Sequence, residues 1–120
     1  MPVWQRGHQL VLKVYGLSDK FPKKETFSLA DQIRRAVVSV TSNIAEGYGR
    51  TAWKDKCHFY VISMGSLREV QNQLMIARDL KYISAADTEP LLDEADQIIR
   101  LIYALMKNTK KRSSLLSTNF

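Results

Sequence analysis

Apolar residues recur along this chain at spacings of three and four, and no stretch alternates apolar with polar as a half-buried strand does. Leu10, Val14 and Leu17, with Val11 beside them, predict a first helix over about residues 4–20, ended by Phe21-Pro22. Leu29, Ile33, Ala36, Val37, Val40 and Ile44 predict a second over 28–46, stopped by the left-handed conformation that glycine allows at Gly47-Tyr48-Gly49. Thr51 reads as the N-cap of a third helix over 51–82, with the stripe Phe59, Ile62, Leu67, Val70, Leu74 and Ala77. Ser84 reads as the N-cap of a fourth over about 85–110, although Pro90 fits better in the first turn of a helix starting near Asp87. Four amphipathic helices with short connections give an all-α, antiparallel, up-down-up-down four-helix bundle over residues 1–112. The end of the chain from 107 is basic and then Ser/Thr-rich, and 113–120 reads as a flexible tail.

Helix four carries more apolar surface than one bundle face needs. From Ile98 to Met106 it reads Ile-Ile-Arg-Leu-Ile-Tyr-Ala-Leu-Met, apolar on every side, which implies burial from more than one direction. Ile98, Ile99, Leu101, Ile102, Tyr103 and Leu105 are therefore the candidate contact surface of a closed homo-oligomer. Val38 and Ala45 on helix two also fall off the main stripe.

Length and composition then narrow the class. The chain has 120 residues, 45% hydrophobic and 25% charged, the profile of one globular domain. No apolar run approaches a bilayer span, the first residues lack a secretory pattern, and Cys57 is the single cysteine, so no membrane contact and a reducing, cytoplasmic location are expected. The formal charge is +6 and uneven: residues 84–106 carry one basic and five acidic groups, whereas 107–120 carry four basic and no acidic ones. Lys20, Lys23 and Lys24 gather at the first connection. Arg34 and Arg35 lie on helix two, one of them expected half-buried beside Glu46 or Glu69. In an antiparallel bundle helix four ends beside the Gly47 corner, so Arg50, Lys54, Lys110, Lys111 and Arg112 are expected to share one end of the molecule. With Arg34 and Arg35 they are the candidate nucleic-acid contacts, since phosphate binding needs little beyond placed cations. No base-reading motif is visible.

The residues argue against catalysis. Cys57 and His58 diverge by about 100° on a helix, and a Cys57–His8 dyad would need chance packing. One cysteine and two histidines make no zinc site, and the helices hold no Glu-x-x-His pair of the di-iron bundles. Gly47-Tyr48-Gly49-Arg50 follows a helix and lacks the Gly-Lys-Ser/Thr ending of a phosphate loop. No metal or cofactor is expected. An enzyme reading would rest on an unlooked-for convergence of Tyr48, Glu46 and His8 or His58.

Several strings are distinctive: Trp4-Gln5-Arg6, Phe21-Pro22-Lys23, Gln32-Ile33-Arg34-Arg35-Ala36-Val37-Val38-Ser39, Gly65-Ser66-Leu67-Arg68-Glu69, Ala77-Arg78-Asp79-Leu80-Lys81-Tyr82-Ile83, and above all Asn43-Ile44-Ala45-Glu46-Gly47-Tyr48-Gly49-Arg50. Over about residues 4–108 the chain resembles the four-helix-bundle proteins encoded in intervening sequences of bacterial 23S ribosomal RNA genes, a family that includes accessory proteins of diversity-generating retroelements. The resemblance implies a ring-like homopentamer. For the retroelement members it also implies a basic surface for RNA or DNA and a reverse transcriptase partner. Asn43, Glu46, Gly47, Tyr48 and Gly49 read physically as a corner motif, with Asn43 and Glu46 bonding the free backbone groups of the helix break and Arg35 or Arg50 neutralising Glu46. The expectation is a non-enzymatic, oligomeric, nucleic-acid-associated bundle; the alternative is a protein-interaction scaffold that binds no nucleic acid.

Overall fold

The computed structural model describes residues 1–118, with side chains as far as Leu115. It holds α1 (Pro2–Ser18), a single 3₁₀ turn (Lys23–Glu25), α2 (Leu29–Tyr48), α3 (Trp53–Asp79) and α4 (Ala85–Thr118). Each helix packs on its neighbours in chain order and α4 closes back on α1, giving a four-helix bundle of 58 × 25 × 18 Å. The α2–α3 contact is the most extensive and α1–α4 the least. Helical backbone continues to Thr118; Asn119 and Phe120 of the expected tail lie outside the described residues.

The apolar stripes of α1 and α2 are buried as their periodicity requires, and Leu91, Ala95, Ile98 and Ile102 complete the core from α4. On α3 the register differs from the expected stripe. Tyr60, Ser63, Leu67, Val70, Leu74 and Ala77 face inward, while Ile62 is exposed and Phe59 half-buried. The reason is close approach of α2 and α3 through small polar residues. Ser63 Oγ donates to Val40 O at 2.8 Å, and the hydroxyls of Ser39 and Ser66 bond at 2.8 Å. A buried serine with its hydroxyl satisfied fits a tight helix crossing, and hydrophobicity patterning does not register it.

Three helix ends also differ from expectation. Gly47 does not stop α2 by turning left-handed: no glycine has positive φ, and α2 runs through it to Tyr48. Thr51 does not cap α3, which begins at Trp53 without a side-chain cap. The left-handed residue is Lys81, at φ 64°, where Tyr82 N donates to Ala77 O and Lys81 N to Arg78 O, both at 2.9 Å. Those two bonds close α3 as a Schellman motif. Ser84 caps α4 as expected, its Oγ accepting from Asp87 N at 3.0 Å, and the helix accommodates Pro90 inside it.

The Schellman geometry makes a prediction. A side chain in the left-handed region costs roughly 1–2 kcal/mol, of which the freer unfolded glycine returns roughly 0.5–1 kcal/mol. Lys81→Gly should therefore raise stability by about 0.5–1 kcal/mol in urea unfolding; a loss would show that Lys81 does not hold this conformation.

Candidate functional site

Helix lengths determine what lies at the two ends. Arg6 on α1 bonds Glu94 and Gln97 on α4, so the first residues of α1 stand level with α4 near Ile98–Ile102. Beyond that level α1 no longer covers α4, which continues to Thr118 beside the end of α2 and the start of α3. Leu101, Leu105 and Met106 are consequently only partly buried, and Tyr103 is 61% exposed. Ile98, Ile99 and Ile102, by contrast, sit in the protomer's own core. This corrects the expected contact surface: those three isoleucines are consumed within one bundle, and within the run from Ile98 to Met106 the large apolar side chains left over are Leu101, Tyr103, Leu105 and Met106. The all-round apolar run is explained by its position: α4 packs on α1 and α3, and α1 is the shorter of the two.

The α2–α3 corner and the last turns of α4 form the cationic end. Residues 46–56 and 107–115 together carry seven Lys/Arg and two carboxylates, Glu46 and Asp55. Both carboxylates approach Arg50, at 3.3 and 3.9 Å, and its guanidinium also lies 4.7 Å from the centre of the Phe59 ring. Lys54 and Lys110 converge from different helices on the Trp53 ring, at 5.8 and 5.5 Å. Lys107, Lys111 and Arg112 have no ion pair among the described residues. Arg50, Lys54 and Lys110 are thus brought together as expected, with Arg112 beside them and Lys111 on the exposed side of the same helix.

Arg34 and Arg35 are not part of this end. They lie one helix length away, about 21 Å from Tyr48 along α2 at ~1.5 Å per residue. Arg34 pairs with Asp19 at 2.8 Å, bonds Ser18 Oγ and lies over the Tyr15 ring, instead of meeting Glu46 or Glu69; Arg35 pairs with Asp31 one turn back.

The corner motif works differently from its sequence reading. Asn43 Nδ2 donates to Ser39 O and Oγ inside α2 and does not reach the break. Glu46 pairs with Arg50, as one of the two expected alternatives. The last carbonyls of α2 are met by Lys56, whose Nζ donates to Tyr48 O at 2.7 Å and to Gly47 O at 3.4 Å, the latter also accepting from Arg50 N at 3.2 Å. Gly47 serves a packing role: a Cβ there would stand 2.6 Å from Tyr60 Cε1 and 2.9 Å from Lys56 O.

Between these groups lies an open cleft of about 250 Å³. Tyr48, Trp53 and Leu105 supply apolar surface, Lys56 and Arg112 charge, and Tyr60 reaches it from the core. Sequence reasoning missed Trp53, Lys56 and Tyr60 here. The usable signal was the alternation of aromatic and basic residues from Tyr48 to Phe59, which only the packing of α4 turns into a concave surface.

Nucleophile chemistry finds no support in this geometry. Burial pushes the Cys57 thiol up, with the nearby Lys110 charge pulling the other way, so the thiolate is disfavoured. His8 stacks on Trp4 at 4.9 Å and His58 meets Phe59 edge-on. Among the described residues no group of His, Cys, Asp and Glu could hold a metal ion, and no helix is long and apolar enough to cross a membrane.

A comparison with curated proteins finds no match. Among solved structures, the chain is similar to a protein of unknown function from the S23 ribosomal protein family of Bacteroides thetaiotaomicron, with a TM-score of 0.80 and 19% identity over 88% of this chain and 98% of that one. That likeness is one of fold. The model of the 23S rRNA-intervening sequence proteins matches residues 1–104, nearly the whole bundle, and the chain belongs to that family.

Proposed function

We infer that this protein is a non-enzymatic, self-associating bundle that binds nucleic acid through its cationic end. The observation that carries this reading is the excess of seven cations over two carboxylates where α2, α3 and α4 meet. Cations grouped on one face attract phosphates and release their counterions, which gives affinity without sequence preference. Self-association is supported by Leu101, Tyr103, Leu105 and Met106, which α1 is too short to cover. The family resemblance makes a pentamer the expected form. A closed ring would repeat the basic end around one axis and sum its potential.

Titration with RNA and with DNA at two salt concentrations tests the binding. Affinity should fall with log salt at a slope near −0.7 to −0.9 for each phosphate neutralised. An absent interaction at low salt, or one insensitive to salt, overturns the reading. Light scattering tests assembly: a mass near five times the 13.8 kDa protomer is expected, and a monomer at micromolar concentration removes self-association.

A further inference from the structure

We propose that the cleft between Tyr48, Trp53 and Arg112 receives an unstacked nucleobase, so that the protein prefers single-stranded nucleic acid over a duplex. This deepens the reading above and rests on it. Phosphate attraction alone favours the duplex, which carries the denser charge, and needs no aromatic residues. Here three aromatic rings at the corner are each paired with a cation: Trp53 with Lys54 and Lys110, Tyr48 with Lys56, Phe59 with Arg50. Rings interleaved with cations are the surface on which single strands lay their bases and backbone together. A duplex keeps its bases stacked inside and cannot offer their faces to a protein cleft.

The cleft itself suits one flat ring system. Its roughly 250 Å³ lies below the ~300–1,000 Å³ that drug-sized ligands occupy. Apolar walls come from Tyr48, Trp53 and Leu105, with Lys56 and Arg112 at hand for the flanking phosphates. Tyr60 supplies an independent pointer. It is 99% buried, lines the cleft, and its hydroxyl makes no hydrogen bond among the described residues. Burial pushes that phenol up, so it stays protonated and able to donate to a base carbonyl or ring nitrogen. An unpartnered hydroxyl on a core residue that lines the cleft is available to a ligand atom.

The test compares a single-stranded RNA, the same sequence as single-stranded DNA, and a duplex of equal length, at one salt concentration. The single strands should bind more tightly than the duplex. Trp53→Ala should weaken single-strand binding about 5- to 150-fold, the range for losing one base–aromatic stack, and duplex binding by less than 2-fold. Trp53→Tyr should restore most of the loss. In Trp4→Phe protein, where Trp53 is the only indole, saturating single strand should quench its fluorescence and duplex should not. This readout needs no change at the cleft and stands even if Trp53→Ala fails to fold. Equal binding of both forms, or no quenching, overturns the base-accepting cleft and leaves the cationic-end reading intact. No binding of any probe at low salt overturns both. RNA and DNA strands binding alike would assign recognition to base and phosphate, whereas tighter RNA binding would add the 2′-hydroxyl.

Discussion

Ile102→Ala is expected to lower the unfolding free energy by about 2–5 kcal/mol, the cost of cutting a fully buried aliphatic side chain and leaving a cavity. Against a total of roughly 5–15 kcal/mol this is a large share. Ile102 is fully buried among the core residues of its own bundle. Its neighbour Tyr103 gives the opposite result. Tyr103→Asp should keep native helicity and a cooperative melt, while shifting the light-scattering mass toward the protomer. One residue separates a position that holds the bundle together from one that faces outward, because adjacent residues point about 100° apart on a helix. Urea unfolding at fixed protein concentration, with mass measured alongside, checks both. A loss under 1 kcal/mol for Ile102→Ala would refute the burial assigned to it. An unchanged mass for Tyr103→Asp would remove Tyr103 from any contact between copies.

Gly47→Ala should cost about 1–3 kcal/mol, the usual range for overpacking, or roughly 4–12 °C in Tm at ~4 °C per kcal/mol. The added methyl meets the Tyr60 ring at 2.6 Å and the Lys56 carbonyl at 2.9 Å. The backbone oxygen cannot swing away, so the corner must open. Opening would also move Lys56 off the Tyr48 carbonyl and disturb the cleft floor at Tyr60. Gly65 and Gly16 are the controls, since nothing lies within 4 Å of a Cβ at either. Both sit inside helices, where alanine is favoured over glycine by roughly 0.5–1 kcal/mol. The same substitution should therefore lower Tm at position 47 and raise it at 16 and 65. A stabilised Gly47→Ala protein would contradict the close approach of α2 and α3.

How much of this was readable beforehand varies by element. The four helices, their order and the buried stripes of α1 and α2 follow from periodicity alone, because Leu10, Val14, Leu17, Ile33, Val37, Val40 and Ile44 can be hidden together only on one helical face. Ser84 as a cap was equally legible, since a local side-chain bond depends only on local sequence. The α3 register was not. Ile62 looks like core and Ser63 like surface, yet the tight crossing with α2 buries the serine. Gly47 was singled out for the wrong property: its value is the absent side chain, not a left-handed φ.

The candidate site divides the same way. Gathering of Arg50, Lys54 and Lys110 at one end was legible, because antiparallel connectivity forces the end of helix four beside the second connection. Arg34 could not be placed, since its partner Asp19 lies across the α1–α2 connection and a salt bridge depends on rotamers and turn geometry.

The sequence by itself determined that this chain makes four amphipathic helices in an antiparallel bundle with its cations biased to one end, since spacing and charge order are properties of a line. Tertiary structure alone decided which apolar residues of α4 remain uncovered and that Trp53, Tyr60 and Arg112 enclose a cleft. Both depend on how far each helix slides along its neighbour, and that offset is fixed by side-chain packing between distant segments, which no local pattern encodes.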